Sequence, residues 1–90
     1  IMNKKVKVAQ IRVDAEIYYD FLEECYKIRK SIDDRIYKEK KIIRKEINKK
    51  AKVAQIRMSS NVYTHFMELA YKLREDLNIK QFKLKNGIKD

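Results

Sequence analysis

Asn3-Lys4-Lys5-Val6-Lys7-Val8-Ala9-Gln10-Ile11-Arg12 returns as Asn48-Lys49-Lys50-Ala51-Lys52-Val53-Ala54-Gln55-Ile56-Arg57, identical at nine of ten positions with an offset of 45. Chance does not produce such a match, and a fixed-period return is the signature of a duplicated structural unit. The register continues without a gap through Tyr18/Tyr63, Phe21/Phe66, Glu23/Glu68, Tyr26/Tyr71, Lys27/Lys72 and Arg29/Arg74. The chain therefore divides into repeats over 2–47 and 48–90. At 90 residues it is too short for two independent domains, so the repeats are expected to share one core.

Each repeat opens on β-branched residues in period-2 alternation, which predicts a short strand over Val6–Val13 and again over Ala51–Met58. Alternation puts Ala9, Ile11 and Val13 on one face and Val8, Gln10 and Arg12 on the other. Asp14 and the pair Ser59-Ser60 then offer helix N-caps. The apolar spacing becomes helical at Ile17, Phe21, Cys25 and Ile28, and in the second copy at Val62, Phe66, Ala70 and Leu73.

A second helix is expected from Ser31, as an N-cap followed by Asp33 and Asp34 at the positive end of the helix dipole, with Ile32, Ile36 and Ile43 buried. Its counterpart over Asp76–Phe82 keeps the apolar positions and soon reaches the stop signal Asn86-Gly87, which predicts a short helix. No Gly or Pro interrupts Asp14–Lys50, so one long helix there is the alternative. The expected fold is mainly α with a short two-stranded antiparallel ribbon, in the order β-α-α-β-α-α. A lone strand has nothing to pair with, and two copies solve that problem by pairing with each other. The inward face is then Ala9, Ile11, Val13, Ala54, Ile56 and Met58. The outward face is Val8, Gln10, Arg12, Val53, Gln55 and Arg57, flanked by Lys4, Lys5, Lys49 and Lys50.

Apolar residues make up 44% of the chain and charged residues 40%, enough for a core under a heavily charged surface; the net charge is +10. Such a field attracts polyanions, and nucleic acid is the first partner it points to. Cys25 is the sole cysteine, which leaves no internal disulfide and no thiolate zinc site. No apolar run approaches the roughly 20 residues that span a bilayer, and the first residues carry no signal-peptide core, so a cytoplasmic location is expected.

The residues Ala9-Gln10-Ile11-Arg12-Val13-Asp14-Ala15-Glu16-Ile17, followed at the matching distance by Ser31-Ile32-Asp33-Asp34-Arg35-Ile36-Tyr37, resemble the Arc/MetJ ribbon-helix-helix superfamily. Most members are homodimers, and the tandem arrangement is similar to the TraY-type accessory proteins of conjugative plasmids. The resemblance implies that alternate strand residues read major-groove bases. Gln10, Arg12, Gln55 and Arg57 would be the readers, with Val8 and Val53 beside them. It also implies that Ser31 and its neighbours hold a phosphate at a helix N-terminus. Asp76 stands in the second copy where the first has Ser31.

The remaining signals read as structure. His65, the sole histidine, aligns with Asp20 on the solvent side of its helix. Cys25 aligns with Ala70 on the apolar stripe, as a small core residue. Tyr18, Tyr26, Tyr63 and Tyr71 recur at helical spacing and are expected to cover the rim of the core. Glu23-Glu24 has no second acidic cluster or histidine with which to form a metal or acid-base site. The basic run Lys38–Lys50 reads equally as a solvated face or as added phosphate contacts. The expectation is a DNA-binding repressor or plasmid accessory factor, without enzyme activity, metal or cofactor, bound to double-stranded DNA with an imperfect inverted repeat. Association of two chains on DNA stays open. An antitoxin-like protein-interaction module and a non-specific nucleic-acid binder are the competing readings.

Overall fold

The computed structural model describes residues 5–38 and 41–87. Strand β1 (Val6–Asp14) leads through one 3-10 turn, Ala15–Ile17, into helix α1 (Tyr18–Ile32). Strand β2 (Ala51–Ser59), the turn Ser60–Val62 and helix α2 (Tyr63–Lys85) repeat that order. The two strands form one antiparallel sheet, giving a β-α-β-α topology consistent with a tandem ribbon-helix-helix-like fold.

The register pairs Gln10 with Gln55, Val8 with Arg57 and Arg12 with Val53. Because the repeats are offset by 45, Gln10 faces its own duplicate, and the remaining pairs exchange around that point. The ribbon is thus built about a pseudo-two-fold axis through the two glutamines. Contacts between the repeats obey the same symmetry. The Ala15 N–H donates to the Lys50 carbonyl at 3.0 Å, and the Ser60 N–H to the Lys5 carbonyl at 2.7 Å, closing both ends of the ribbon. The Lys7 ammonium lies 4.3 Å from the Tyr63 ring centre, and Lys52 lies 4.6 Å from that of Tyr18. Asp14 and Ser59 occupy the expected helix-start positions in extended conformations, but neither side chain makes a capping bond.

Strand alternation sends Ala9, Ile11, Val13, Ala54, Ile56 and Met58 inward, where they meet Ile17, Phe21, Leu22, Cys25, Phe66 and Ala70 in one cluster drawn from both repeats. Tyr18, Tyr26 and Tyr63 pack on its rim, whereas Tyr71 is 47% exposed. Burying each large apolar side chain contributes roughly 1.5–3 kcal/mol, and the two halves contribute to one another's core. Neither repeat buries its apolar face alone.

Among the described residues the expected four helices are two. In the first repeat α1 ends at Ile32, and no helix forms over the described residues from Asp33 to Lys50, which also removes the long-helix alternative. Ser31 caps nothing: it sits in the last turn of α1, its hydroxyl donating to the Ile28 carbonyl at 2.7 Å. Asp33 is extended, with φ −110° and ψ 126°. Its carboxylate accepts the Arg35 N–H two residues ahead at 3.1 Å, an Asx turn that leads the chain away from the helix axis. Ile36 and Ile43, expected in a core, are 95% and 63% exposed. In the second repeat the helix runs unbroken through the expected boundary, because nothing from Tyr63 to Lys85 is Gly or Pro and Leu73 and Leu77 extend the apolar stripe against the core. It stops at Asn86 and Gly87, whose φ of 65° is the left-handed end that the sequence signalled. Among the described residues no helix is long and apolar enough to cross a membrane.

Candidate nucleic-acid interface

The outward face of the ribbon carries Val8, Gln10 and Arg12 from β1 and Val53, Gln55 and Arg57 from β2, all exposed. Pairing arranges them as three cross-strand couples: Val8 with Arg57 at one end, Gln10 with Gln55 at the centre and Arg12 with Val53 at the other. At about 3.3 Å of rise per residue, four residues separate the two arginine positions by roughly 13 Å along the ribbon. That is about four base-pair steps at 3.4 Å each. A two-stranded ribbon fits the major groove, where an arginine can bond guanine O6 and N7 and a glutamine adenine N6 and N7.

The flanking lysines are distributed less evenly. Lys49 and Lys50 are exposed just before β2, and with Lys45, Ile47 and Lys85 they line an open cleft beside Asp14, Glu16 and Tyr19. The Lys85 ammonium is engaged by Glu16 at 2.6 Å. Lys5 is exposed at the opposite end, where its carbonyl holds Ser60; Lys4 lies outside the described residues. The helix start on which the expected Ser31 phosphate contact depended is absent, as described above. Part of the basic run is committed to the fold. The Arg44 guanidinium bridges Asp20 and Glu23 at 2.8 Å each, tying the linker across α1.

Two groups that matter for the ribbon carry no local sequence signal. Both strands of a two-stranded ribbon are edges, and their outward carbonyls need donors. The Arg29 guanidinium donates to the Arg57 carbonyl at 2.7 Å, and the Arg74 guanidinium to the Arg12 carbonyl at 3.0 Å. Each helix arginine thereby holds the backbone of the exposed arginine in the other repeat. Arg29 is buried, its guanidinium 4.2 Å from the Tyr37 ring centre and 5.3 Å from that of Tyr26. Desolvation draws its pKa down, against the raising influence of Tyr37, Tyr26 and Asp33.

Asp33 is the second group. Its carboxylate accepts the Ser59 N–H at 2.8 Å, the Ser59 hydroxyl at 2.9 Å and the Tyr37 hydroxyl at 2.8 Å, besides the Arg35 N–H. Burial pushes its pKa upward, but these bonds to the ionised form win and hold it at about 2. The end of β2 is thus pinned two residues beyond Arg57.

Cys25 is buried, and desolvation, with a smaller contribution from Glu24, pushes its thiol up to about 12, which makes it inert core. His65 is exposed. Among the described residues no group of three or more His, Cys, Asp or Glu side chains gathers in a way that could hold a metal ion. Compared with models of known families, with curated proteins and with solved structures, the chain matches none.

Proposed function

We propose that the chain is a sequence-specific double-stranded DNA-binding protein of tandem ribbon-helix-helix type, laying its ribbon in the major groove as a transcriptional repressor or a plasmid accessory factor. The observation that carries this reading is the exposed couple pattern Val8–Arg57, Gln10–Gln55 and Arg12–Val53, two arginines and two glutamines presented about one axis on a ribbon of groove-fitting width. A net charge of +10 supports the encounter with a polyanion. Arg12 and Arg57 read guanines, Gln10 and Gln55 read the central bases, and Lys5, Lys49 and Lys50 contact phosphates. Selection of bound sequences from a random duplex pool tests the reading: a defined consensus supports it, and equal retention of all duplexes reduces the chain to a charge-driven binder.

A second reading is favoured by the apolar side chains at the end of α2, where Phe82 is 60% and Leu84 68% exposed. In it the ribbon is a scaffold and α2 holds another protein. Ribbon variants that lose DNA without losing biological activity would select that reading.

A further inference from the structure

We infer that Arg29 and Arg74 are positioning residues for base readout, and that their unequal settings make one chain read its two half-sites with unequal stringency, the half under Arg57 more strictly. The inference rests on the DNA-reading role proposed above.

The duplicated bond is the starting point. Arg29 and Arg74 occupy equivalent places 45 residues apart, and each fixes the carbonyl of an equivalent exposed arginine, Arg57 or Arg12. A base-reading side chain discriminates only as well as its backbone is held, because about 1 Å of play lets it meet the wrong edge at little cost.

The two settings share one ring, Tyr26 or its counterpart Tyr71, and differ in what surrounds it. Arg29 is 5% exposed and lies against two rings, Tyr26 and Tyr37. The Tyr37 hydroxyl is itself fixed by Asp33, which also binds the Ser59 backbone and hydroxyl. Arg57 is therefore anchored at its own carbonyl and again two residues on, at Ser59. Among the described residues Arg74 lies against one ring, that of Tyr71, 5.1 Å away. The positions equivalent to Tyr37, Asp33 and Ser59 are Phe82, Asn78 and Asp14. Phe82 has no hydroxyl and is 60% exposed, and Asn78 and Asp14 face solvent, so the latch is not repeated. The divergence after α1 in one repeat and the continuation of α2 in the other thus have a consequence at the ribbon: beyond the closing backbone bond that both ends share, the Arg57 end is held by Arg29 and by the Asp33 latch, and the Arg12 end by Arg74.

The test is selection from a random duplex pool with the full chain and four variants. Arg12→Ala and Arg57→Ala identify which half-site belongs to which arginine. Wild type is expected to show the stronger base preference in the Arg57 half. Arg29→Met is expected to relax that half alone, by about fivefold or more at the guanine contact, the low end of what a bidentate arginine supplies. Arg74→Met is expected to relax the Arg12 half alone. Arg74 is only half-buried, so that variant keeps the inference falsifiable if Arg29→Met does not fold. Equal stringency in the two wild-type halves, or a variant that weakens both halves alike, overturns the inference while leaving DNA reading intact. A wild-type chain with no sequence preference overturns both.

Discussion

Gln10 and Gln55 face each other across the ribbon at the only position where a residue pairs with its own duplicate. The axis of the outward face passes through this couple, with Arg12 and Arg57 placed symmetrically to either side. A single chain should accordingly select an imperfect inverted repeat centred under the two glutamines. Replacing both with Ala should blur the central base pairs and leave the outer ones intact. A consensus with no internal symmetry would argue against the ribbon as the reading surface.

Arg12 and Arg57 differ from the flanking lysines in what they are expected to do. Changing both arginines to Ala removes two base contacts, each worth roughly 1–3 kcal/mol of discrimination, and should relax the preferred sequence. Changing Lys49 and Lys50 should weaken binding to all duplexes alike and flatten the salt dependence by about 0.9 log unit per lost phosphate contact. Circular dichroism checks the fold in each case, since exposed strand positions tolerate Ala while buried Ile11 and Ile56 do not. An arginine double variant that keeps its consensus would remove these residues from the site.

The parts of this fold legible in the sequence are those whose partners are set by periodicity. Alternation located both strands to within a residue and assigned every inward and outward side chain of Val8–Val13, and the switch to helical spacing located α1. What failed depended on distant partners. Ser31-Ile32-Asp33-Asp34 looks like a helix start because Ser and Asp commonly cap helices. Here Ser31 bonds backward to Ile28, and Asp33 is captured by Ser59, 26 residues ahead. Once Asp33 is held there, Ile36 and Ile43 have no surface to pack on, and their helical spacing has no consequence. Arg29 and Arg74 were visible only as identities between the repeats. Their acceptors lie 28 and 62 residues away, beyond any local pattern.

Since β1 pairs with β2 of the same chain and the core draws on both repeats, folding needs no second molecule. The thermal midpoint should stay constant over a wide range of protein concentration, and the diluted protein should remain folded as a monomer. A midpoint that rises with concentration would mean that strands are exchanged between chains.

Asp33 should make the stability of the chain depend on acid in a defined window. Its folded-state pKa of about 2 lies below the ordinary aspartate value of roughly 3.9, because four donors bind its ionised form. A carboxyl depressed on folding stabilises the folded state above its unfolded pKa, and that contribution is lost as pH falls through the folded value. The contribution should therefore be complete near neutrality and decline from about pH 5 to below pH 2. Its size is on the order of 1–2 kcal/mol after allowance for nearby solvent. Other carboxylates titrate in the same range, so the measurement is a difference. Asp33→Asn keeps the shape but turns an amide N–H2 toward groups that themselves donate, and it should be less stable than wild type by on the order of 2 kcal/mol at pH 7. As pH falls toward 2 the wild-type carboxyl loses its charge and the gap between the two proteins should narrow. Denaturant unfolding of both at several pH values reads that gap. A gap that stays constant from pH 7 to pH 2 would mean that the charge on Asp33 contributes nothing to holding the end of β2.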